Sequence, residues 1–308
     1  VYSYVEYLCK MLWPFGLSIF YPHFTEPISI LVVLGCLGFI LGITFAALIN
    51  AKSHPYVIVG WLWYLGTLFP LIIFTQADYH RIADRYTYIP LIGIFIIIAW
   101  GVPQLLKNHK NKEKIICFAL AGAVPFLMAV SWVQISYWQN SIMLFRHAIN
   151  VTNSTHPKSA IQHYNLATAL MRNGELFDTP LEGNNYRKGA VSHFKLAIQL
   201  NPDYADAYSN LGSIFKDKGD IKKATEYFRK TLEIDSGHVA GNYNLGSILK
   251  TRGDLDGAIT HYERAIKGKP DFAEAHNNIA GAYLGLSQND KAIFHYKQAI
   301  KIKPSKVF

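Results

Sequence analysis

Two arginines and an aspartate lie directly before a long apolar run in the segment HRIADRYTYIPLIG, residues 80–93. In a helix, Arg81 and Arg85 are separated by one turn and share a face. Two neighbouring guanidinium groups can each donate a pair of parallel hydrogen bonds to a phosphate or pyrophosphate. The spacing predicts that Arg85 and Arg81 bind a phosphate at the edge of a membrane and that Asp84 orients one of the arginines.

The same segment allows a second interpretation that needs no ligand. Arg81 can form an ion pair with Asp84 in the segment or with Asp78 just before it. The tyrosines in and next to the segment are of the type that anchors chains at the lipid–water interface: Tyr79, Tyr86 and Tyr88. The residues alone leave phosphate binding and interfacial anchoring both open.

Four asparagines recur at one position of a repeated pattern, each directly before a leucine or isoleucine: Asn165, Asn210, Asn244 and Asn278. Stacked repeats place equivalent residues in a line along one surface. A carboxamide both donates and accepts hydrogen bonds, so it can pair with the backbone of a bound peptide whatever the peptide's side chains are. The pattern predicts a peptide-binding ladder. The alternative is an asparagine that recurs in such repeats without binding a ligand.

The pattern has a period of 34 residues over residues 205–238, 239–272 and 273–306. Apolar residues coincide in that register: Leu211, Leu245 and Ile279; Ala224, Ala258 and Ala292; Phe228, Tyr262 and Tyr296. This period is typical of tetratricopeptide repeats, in which each unit is a pair of antiparallel helices. An earlier repeat, residues 160–204, fits with an eleven-residue insertion, ELFDTPLEGNN, whose Gly, Pro and Asn content predicts a protruding loop.

The amino-terminal part of the chain is far more apolar than these repeats. Four stretches have no internal charge and approach or exceed the roughly 20 residues that cross a hydrocarbon core: residues 28–49, 56–74, 86–106 and 115–137. Residues 1–27 are apolar and aromatic but contain Glu6, Lys10 and Pro14, which favours an interfacial or re-entrant segment. We therefore predict an all-α protein in which a polytopic transmembrane helix bundle, residues 1–137, precedes a tetratricopeptide repeat superhelix, residues 138–308.

The orientation in the membrane follows from one short connection. The segment KNHKNKEK, residues 107–114, contains four lysines, and lysine and arginine in short loops favour the cytoplasmic side. With this connection inside, residues 75–85 and the whole repeat region face the extracytoplasmic side. Membrane lipid is then one predicted partner, and an acceptor protein on the repeats is another.

Charge and cysteine usage exclude several classes of site. The net charge of +9 is spread thinly, with 8 Lys/Arg and 5 Asp/Glu up to Tyr137 and 22 and 16 after it, so a nucleic-acid partner is not expected. The three cysteines lie far apart in apolar segments, so neither disulfides nor metal ligands are predicted: Cys9, Cys36 and Cys117. Several histidines are expected to be surface or packing residues: His163, His193, His238 and His261. No metal and no cofactor is predicted.

The order of these elements resembles a known family. The string ADRYTYIPLIGIFIIIAWG, then YWQNSIMLFRHAI, then the repeats, resembles the carboxy-terminal part of the transmembrane and tetratricopeptide repeat-containing O-mannosyltransferases and their bacterial relatives. The upstream string CKMLWPFGLSIFYP is similar to the segment before this block in the same family. The asparagine series likewise resembles the ladder with which the protein O-GlcNAc transferase superhelix holds extended polypeptide.

The resemblance implies a GT-C-like glycosyltransferase that takes a sugar from a polyprenyl or dolichyl phosphate and transfers it to protein on the extracytoplasmic side. A bacterial inner membrane is preferred, and an endoplasmic reticulum membrane is the other possibility. The family's catalytic acidic residues lie upstream of the region that matches this chain, and the chain begins without methionine, so we expect a fragment and assign no catalytic residue. The alternative is a non-enzymatic membrane-anchored scaffold for protein–protein interaction.

Overall fold

The computed structural model describes the backbone of residues 2–12, 29–75, 88–152, 159–176 and 180–304, with side chains left out at 71–75, 88, 174–176 and 180–184. All regular elements in these ranges are helical, which confirms the predicted all-α class. The chain divides into two compact units, Val1–Gln162 and His163–Phe308, and α7 crosses the division.

The first unit contains α1 (Tyr2–Leu12), α2 (Ile30–Ile49), α3 (Pro55–Thr75), α4 (Tyr88–Leu105), α5 (Lys112–Tyr137) and α6 (Ser141–Val151). Two of the predicted spans, α2 and α5, are long and apolar enough to cross a membrane, and Ile89–Leu105 is a shorter apolar helix. None of the most apolar part of α5 is buried, and Phe118 remains 85% exposed. An unburied apolar surface of this length matches a lipid environment better than water.

The closest helix contact in this unit joins α3 and α4. A Cβ atom added to Gly60 would clash with the carbonyl oxygen of Gly93, and one added to Gly93 would clash with that of Gly60. Trp63 Nε1 donates a hydrogen bond of 3.0 Å to the carbonyl oxygen of Ile89. Small residues let membrane helices approach at backbone distance, so this pair of glycines sets the packing of two apolar helices.

A buried cluster joins α1, α2 and α3 around Tyr64. The Tyr64 hydroxyl donates to the Tyr4 carbonyl oxygen at 2.6 Å, and Trp61 Nε1 donates to Thr44 Oγ1 at 2.8 Å. These bonds satisfy the polar ends of large aromatic side chains inside an apolar contact. The first helix is therefore packed against the apolar helices and held to them by hydrogen bonds.

The second unit is built from helix pairs. It contains α7 (Ala160–Leu176), α8 (Pro180–Leu200), α9 (Ala205–Asp217), α10 (Ile221–Ile234), α11 (Val239–Thr251), α12 (Leu255–Gly268), α13 (Ala273–Gly285) and α14 (Asn289–Ile302). The odd-numbered member of each pair is called the A helix and the even-numbered member the B helix. From α9 onward each A helix begins 34 residues after the previous one, as the period predicts.

Two of the helix pairs, α9–α10 and α11–α12, close on an aromatic ring that faces a glycine. A Cβ atom added to Gly212 would come within 2.6 Å of the Phe228 ring, and one added to Gly246 within 3.0 Å of the Tyr262 ring. Both rings are fully buried. The glycine of the A helix therefore makes room for the ring of the B helix, which explains why these two register positions recur together.

The prediction of a loop at residues 175–185 is wrong for most of these residues. The A helix α7 continues to Leu176 and α8 begins at Pro180, so three residues separate them, as they separate α9 from α10. The inserted residues instead extend α7 to 17 and α8 to 21 residues, against 13 and 14 in the other repeats. Proline is well suited to the first turn of a helix, so Pro180 starts α8 where the composition had indicated a loop.

Candidate functional site

The four asparagines of the predicted ladder occupy equivalent places on the four A helices. Asn165 lies on α7, Asn210 on α9, Asn244 on α11 and Asn278 on α13, and all four are half-buried. The residue after each asparagine is a buried Leu or Ile of the repeat core. We call the A-helix surface that carries these asparagines the ladder face.

Tyrosines hold two of the asparagines. Asn210 Nδ2 donates to the Tyr164 hydroxyl at 3.3 Å, and Asn278 Nδ2 donates to the Tyr243 hydroxyl at 3.1 Å. In both cases the tyrosine comes from the preceding repeat and occupies the same register position. The Tyr164 ring also stacks on Tyr204, with ring centres 4.8 Å apart. These carboxamides are therefore oriented before any ligand arrives.

Lysines contact the other end of two carboxamides. Lys216 Nζ donates to Asn244 Oδ1 at 2.5 Å, and Lys250 Nζ donates to Asn278 Oδ1 at 3.3 Å. Both lysines lie near the end of an A helix, six residues after that helix's own asparagine, and both are half-buried. Burial lowers the pKa of Lys250.

The carboxamides keep hydrogen-bonding capacity after these contacts. An asparagine side chain has two N–H donors and two acceptor lone pairs. Asn278 uses one donor toward Tyr243 and one lone pair toward Lys250. Asn244 uses one donor toward the Ala240 carbonyl oxygen and one lone pair toward Lys216. One donor and one acceptor thus remain on each, which is the set that pairing with a peptide backbone requires.

Two carboxylates lie one turn before ladder asparagines, and each has a partner on another helix or at its end. Asp206 Oδ1 lies 3.0 Å from His238 Nε2, and the hydrogen bond from His238 lowers the pKa of Asp206. Glu274 Oε1 lies 2.9 Å from Lys303 Nζ. His238 also accepts a hydrogen bond from the Gly241 N–H through Nδ1, which caps α11. The predicted surface role of His238 is thus a structural one between two repeats.

The remaining histidines form contacts inside the repeats. His163 Nδ1 lies 3.0 Å from His193 Nδ1, and His276 Nδ1 lies 3.1 Å from His295 Nδ1 at the equivalent place in the last repeat. His261 Nδ1 bonds to Asn242 Oδ1 at 2.9 Å in the third repeat. Within the described part of the chain, no three His, Cys, Asp or Glu side chains form a group that could hold a metal ion.

The predicted phosphate site cannot be placed in the same way. Arg81, Asp84 and Arg85 lie outside the described residues, in the connection between α3 and α4. Phosphate binding by these residues therefore stays a prediction.

The lysine contacts were missed from the sequence, although a signal for them was present. Lys216 and Lys250 stand 34 residues apart, in the strings FKDKGD and LKTRGD. The dipeptide Tyr-Asn, which begins at Tyr164 and again at Tyr243, likewise marks the tyrosine partners. Neither signal reveals a contact by itself, because each partner comes from a different helix.

Comparison with known proteins identifies the repeats and shows that part of the chain is similar to one group of enzymes. The TPR repeat model matches residues 187–219 and 246–287, and the tetratricopeptide repeat model matches residues 205–238 and 273–306. Protein O-mannosyl-transferase TMTC1 of Mus musculus is 26% identical over 196 residues, which is 62% of this chain and 19% of that protein. Protein O-mannosyl-transferase TMTC4 of Homo sapiens is 27% identical over 150 residues, 46% of this chain and 19% of that protein.

Solved structures of repeat proteins are also similar. The crystal structure of MamA has a TM-score of 0.42 and 23% identity, and covers 53% of this chain and 86% of that one. The crystal structure of YrrB, described as a TPR protein with an unusual peptide-binding site, has a TM-score of 0.40 and 17% identity, and covers 66% of this chain and 93% of that one.

The match to the mannosyl-transferases is not confined to the repeats. The 62% of the chain that aligns with mouse TMTC1 is longer than the unit His163–Phe308, so it includes part of the first unit. The chain spans about a fifth of the length of the curated relatives that it matches. The chain is therefore similar to the protein O-mannosyl-transferases TMTC1 and TMTC4, and it combines tetratricopeptide repeats with two helices that are long and apolar enough to cross a membrane.

Proposed function

We propose that this chain is the carboxy-terminal part of an integral-membrane glycosyltransferase that moves a sugar from a polyprenyl or dolichyl phosphate to protein. The observation that carries the proposal is the similarity to protein O-mannosyl-transferases over a length that exceeds the repeat unit. Tetratricopeptide repeats alone occur in many proteins, whereas a similarity that extends beyond the repeats points to one group of proteins. In this proposal the catalytic acidic residues belong to a region upstream of the chain.

The repeats recruit the acceptor protein in this proposal. Stacked repeats offer an extended surface that suits a polypeptide ligand. The support for the ladder as the contact is its geometry: half-buried carboxamides, oriented by tyrosine and lysine, with donors and acceptors left over. Because the asparagines would contact the backbone of the acceptor, the repeats could bind acceptors of many different sequences. An enzyme that modifies several proteins needs such tolerance.

The donor's phosphate is held by Arg85, with Arg81 as helper and Asp84 as orienting group. The support is their place in the chain, three to seven residues before α4 begins at Tyr88. A lipid-linked sugar carries its phosphate at the membrane surface, next to the end of such a helix. A guanidinium binds phosphate with two parallel hydrogen bonds, a geometry that an ammonium group does not reproduce.

The repeats and the arginine segment are placed on the extracytoplasmic side in this proposal. The lysines that support it surround the start of α5 and the connection before it: Lys107, Lys110, Lys112 and Lys114. The membrane is a bacterial inner membrane, with the endoplasmic reticulum as the eukaryotic equivalent. In both membranes the acceptor would meet the repeats and the donor on the same side.

The experiment is sugar transfer by full-length protein in membranes, with a radiolabelled polyprenyl-phosphate sugar and an acceptor polypeptide. Arg85→Lys should lower donor use by about tenfold or more, because the fork geometry is lost while the charge is kept. Arg252→Lys, on the repeat unit, is the matched control and should leave transfer unchanged.

Two results would contradict the proposal. Normal turnover by a folded Arg85→Ala variant would show that Arg85 does not bind the donor's phosphate, and interfacial anchoring would then be the role of residues 80–93. Acceptor binding without any transfer by the wild-type protein would favour the alternative, a membrane-anchored scaffold that assembles partner proteins.

A further inference from the structure

Two cations are built into the ladder face at a spacing of one repeat. The ammonium groups of Lys216 and Lys250 lie beside Asn244 and Asn278, in hydrogen-bond contact with their side-chain oxygens. A Cβ atom added to Gly281 would come within 3.0 Å of Lys250 Nζ, so this glycine leaves the space that the ammonium group occupies. The two lysines are thus positioned by the same kind of contact in consecutive repeats.

These two cations have no anionic partner within the described part of the chain. The ion pairs found there involve other lysines, and neither Lys216 nor Lys250 takes part in one. The nearby carboxylates of Asp206 and Glu274 are paired with His238 and Lys303. A half-buried ammonium group that contacts only a neutral oxygen gains from a carboxylate, because charge-assisted hydrogen bonds are the stronger kind. The lowered pKa of Lys250 reflects the same lack of compensation.

We propose that the ladder face selects extended polypeptides that carry acidic side chains about three residues apart. The A helix α11 contacts both α9 before it and α13 after it. Packed helices lie about 8–10 Å apart, and an extended chain advances about 3.3 Å per residue, so one repeat corresponds to about three residues of ligand. The asparagines bind the ligand's backbone, and the two ammonium groups bind its carboxylates. This inference rests on the proposed role of the repeats in recruiting the acceptor.

A polypeptide suits this face better than an anionic membrane surface. The lysines are half-buried between A helices, where an extended chain can reach them and a flat layer of lipid headgroups reaches them poorly. The N–H groups of the adjoining carboxamides can donate to a phosphate, but their acceptor oxygens find no donor in a layer of phosphates, whereas a peptide backbone matches both. Cation and carboxamide together therefore indicate an acidic peptide.

The test is peptide binding by the full chain in neutral-lipid nanodiscs, followed by fluorescence anisotropy. One labelled peptide carries Glu at every third position in a Ser/Thr background, and its matched partner carries Gln at those positions. At low salt the Glu peptide should bind about tenfold more tightly, the equivalent of about 1.4 kcal/mol, and the preference should shrink as salt screens the charges. The double variant Lys216→Gln/Lys250→Gln should bind both peptides equally.

The control double variant is Lys222→Gln/Lys267→Gln, which removes the same charge from exposed positions on the B helices. It should keep the preference for Glu. The variant Lys216→Arg/Lys250→Arg, which retains both charges, should also keep the preference for the Glu peptide. If the glutamine double variant loses helix content, the arginine variant provides the comparison in a folded protein.

The outcomes separate the charge preference from the proposed function. Equal affinity of the wild type for the two peptides would overturn the acidic preference and leave backbone binding by the ladder intact. Binding of neither peptide would remove acceptor recruitment as well. An equal loss of the preference for Glu in the control variant would show that the preference comes from the net charge of the chain and not from Lys216 and Lys250. If the protein binds vesicles that contain anionic lipid through Lys216 and Lys250 but binds neither peptide, the ladder face binds a membrane surface and the proposal is wrong.

Discussion

At the scale of single residues, the repeat unit combines a recurring asparagine with partners that change from repeat to repeat. Asn210 is held by a tyrosine, Asn244 by a lysine and Asn278 by both. The asparagine could be predicted because it recurs at one register position. Its partners could not, because a contact between residues 28 or 46 positions apart depends on how two helices pack.

Replacing Asn210 and Asn244 together by alanine should weaken peptide capture while the helices survive. Each lost hydrogen bond is worth about 0.5–1.5 kcal/mol, so two should cost roughly tenfold or more in affinity. The measurement is anisotropy with the uncharged peptide, with circular dichroism as the check of helix content. Asn289→Ala, an exposed asparagine at the start of α14, is the control. Unchanged capture by the double variant would leave the asparagines with a purely structural role between repeats.

The histidine pair of the last repeat should make that repeat sensitive to mild acid. Burial lowers the pKa of both His276 and His295. Because the folded pKa values lie below the ordinary value of about 6.5, the unfolded chain takes up protons first as the pH falls. The two histidines therefore contribute their full share of stability above the pKa that they have in the unfolded chain. This contribution is lost as the pH falls toward the lower pKa values that they have in the folded chain.

Hydrogen exchange of α13 and α14, corrected for intrinsic rates, measures this loss between about pH 7 and pH 5. The variant His276→Gln/His295→Gln should show a smaller decline over that interval. An equal decline in the variant and the wild type would assign the acid sensitivity to other groups.

At the scale of elements, each A helix from α9 onward ends in a turn with a residue in the left-handed region. Gly219 and Gly253 fill this position with φ of 78° and 83°, but the equivalent residue of the last repeat is Ser287, with φ of 58°. Glycine adopts this region freely, whereas a residue with a Cβ atom pays about 1–2 kcal/mol.

Ser287→Gly should therefore stabilise the last repeat by about 0.5–1 kcal/mol, after allowance for the greater freedom of glycine in the unfolded chain. Hydrogen-exchange protection in α13 and α14 should rise. The reverse change, Gly253→Ser, should lower protection in the third repeat by a similar amount. A Ser287→Gly variant without added protection would show that the turn is not strained by serine.

Element boundaries show where sequence-based prediction succeeds and where it stops. The helix pairs from Ala205 onward were predictable because small and aromatic residues recur every 34 positions. The insertion was misjudged because Gly, Pro and Asn usually indicate a loop, whereas here Pro180 begins a helix. Local composition does not reveal that inserted residues can lengthen both helices of a pair instead of forming a loop.

At the scale of the whole molecule, the orientation in the membrane decides which compartment the repeats face. In a variant with serine at Cys9, Cys36 and Cys117, a single cysteine is placed at Asn108 or at Lys222, both exposed. Because the lysine-rich connection favours the cytoplasm, the cysteine at position 108 should be protected from an impermeant thiol reagent outside intact cells, and that at position 222 should react. The opposite pattern would place the repeats in the cytoplasm.

The repeats are joined to one another by two chemically different kinds of boundary. Ring contacts link successive A helices at two places: Tyr164 of α7 stacks on Tyr204 at the start of α9, and Tyr243 of α11 contacts Phe272 at the start of α13. The equivalent residue at the start of α11 is His238, which forms a hydrogen bond with Asp206 of α9. In a linear array, cooperativity depends on the coupling energy of each neighbouring pair. The coupling between α9 and α11 includes a hydrogen bond to one carboxylate, whereas the other two include ring contacts, so Asp206→Ala should weaken the middle coupling alone and divide the array into two cooperative blocks of two repeats.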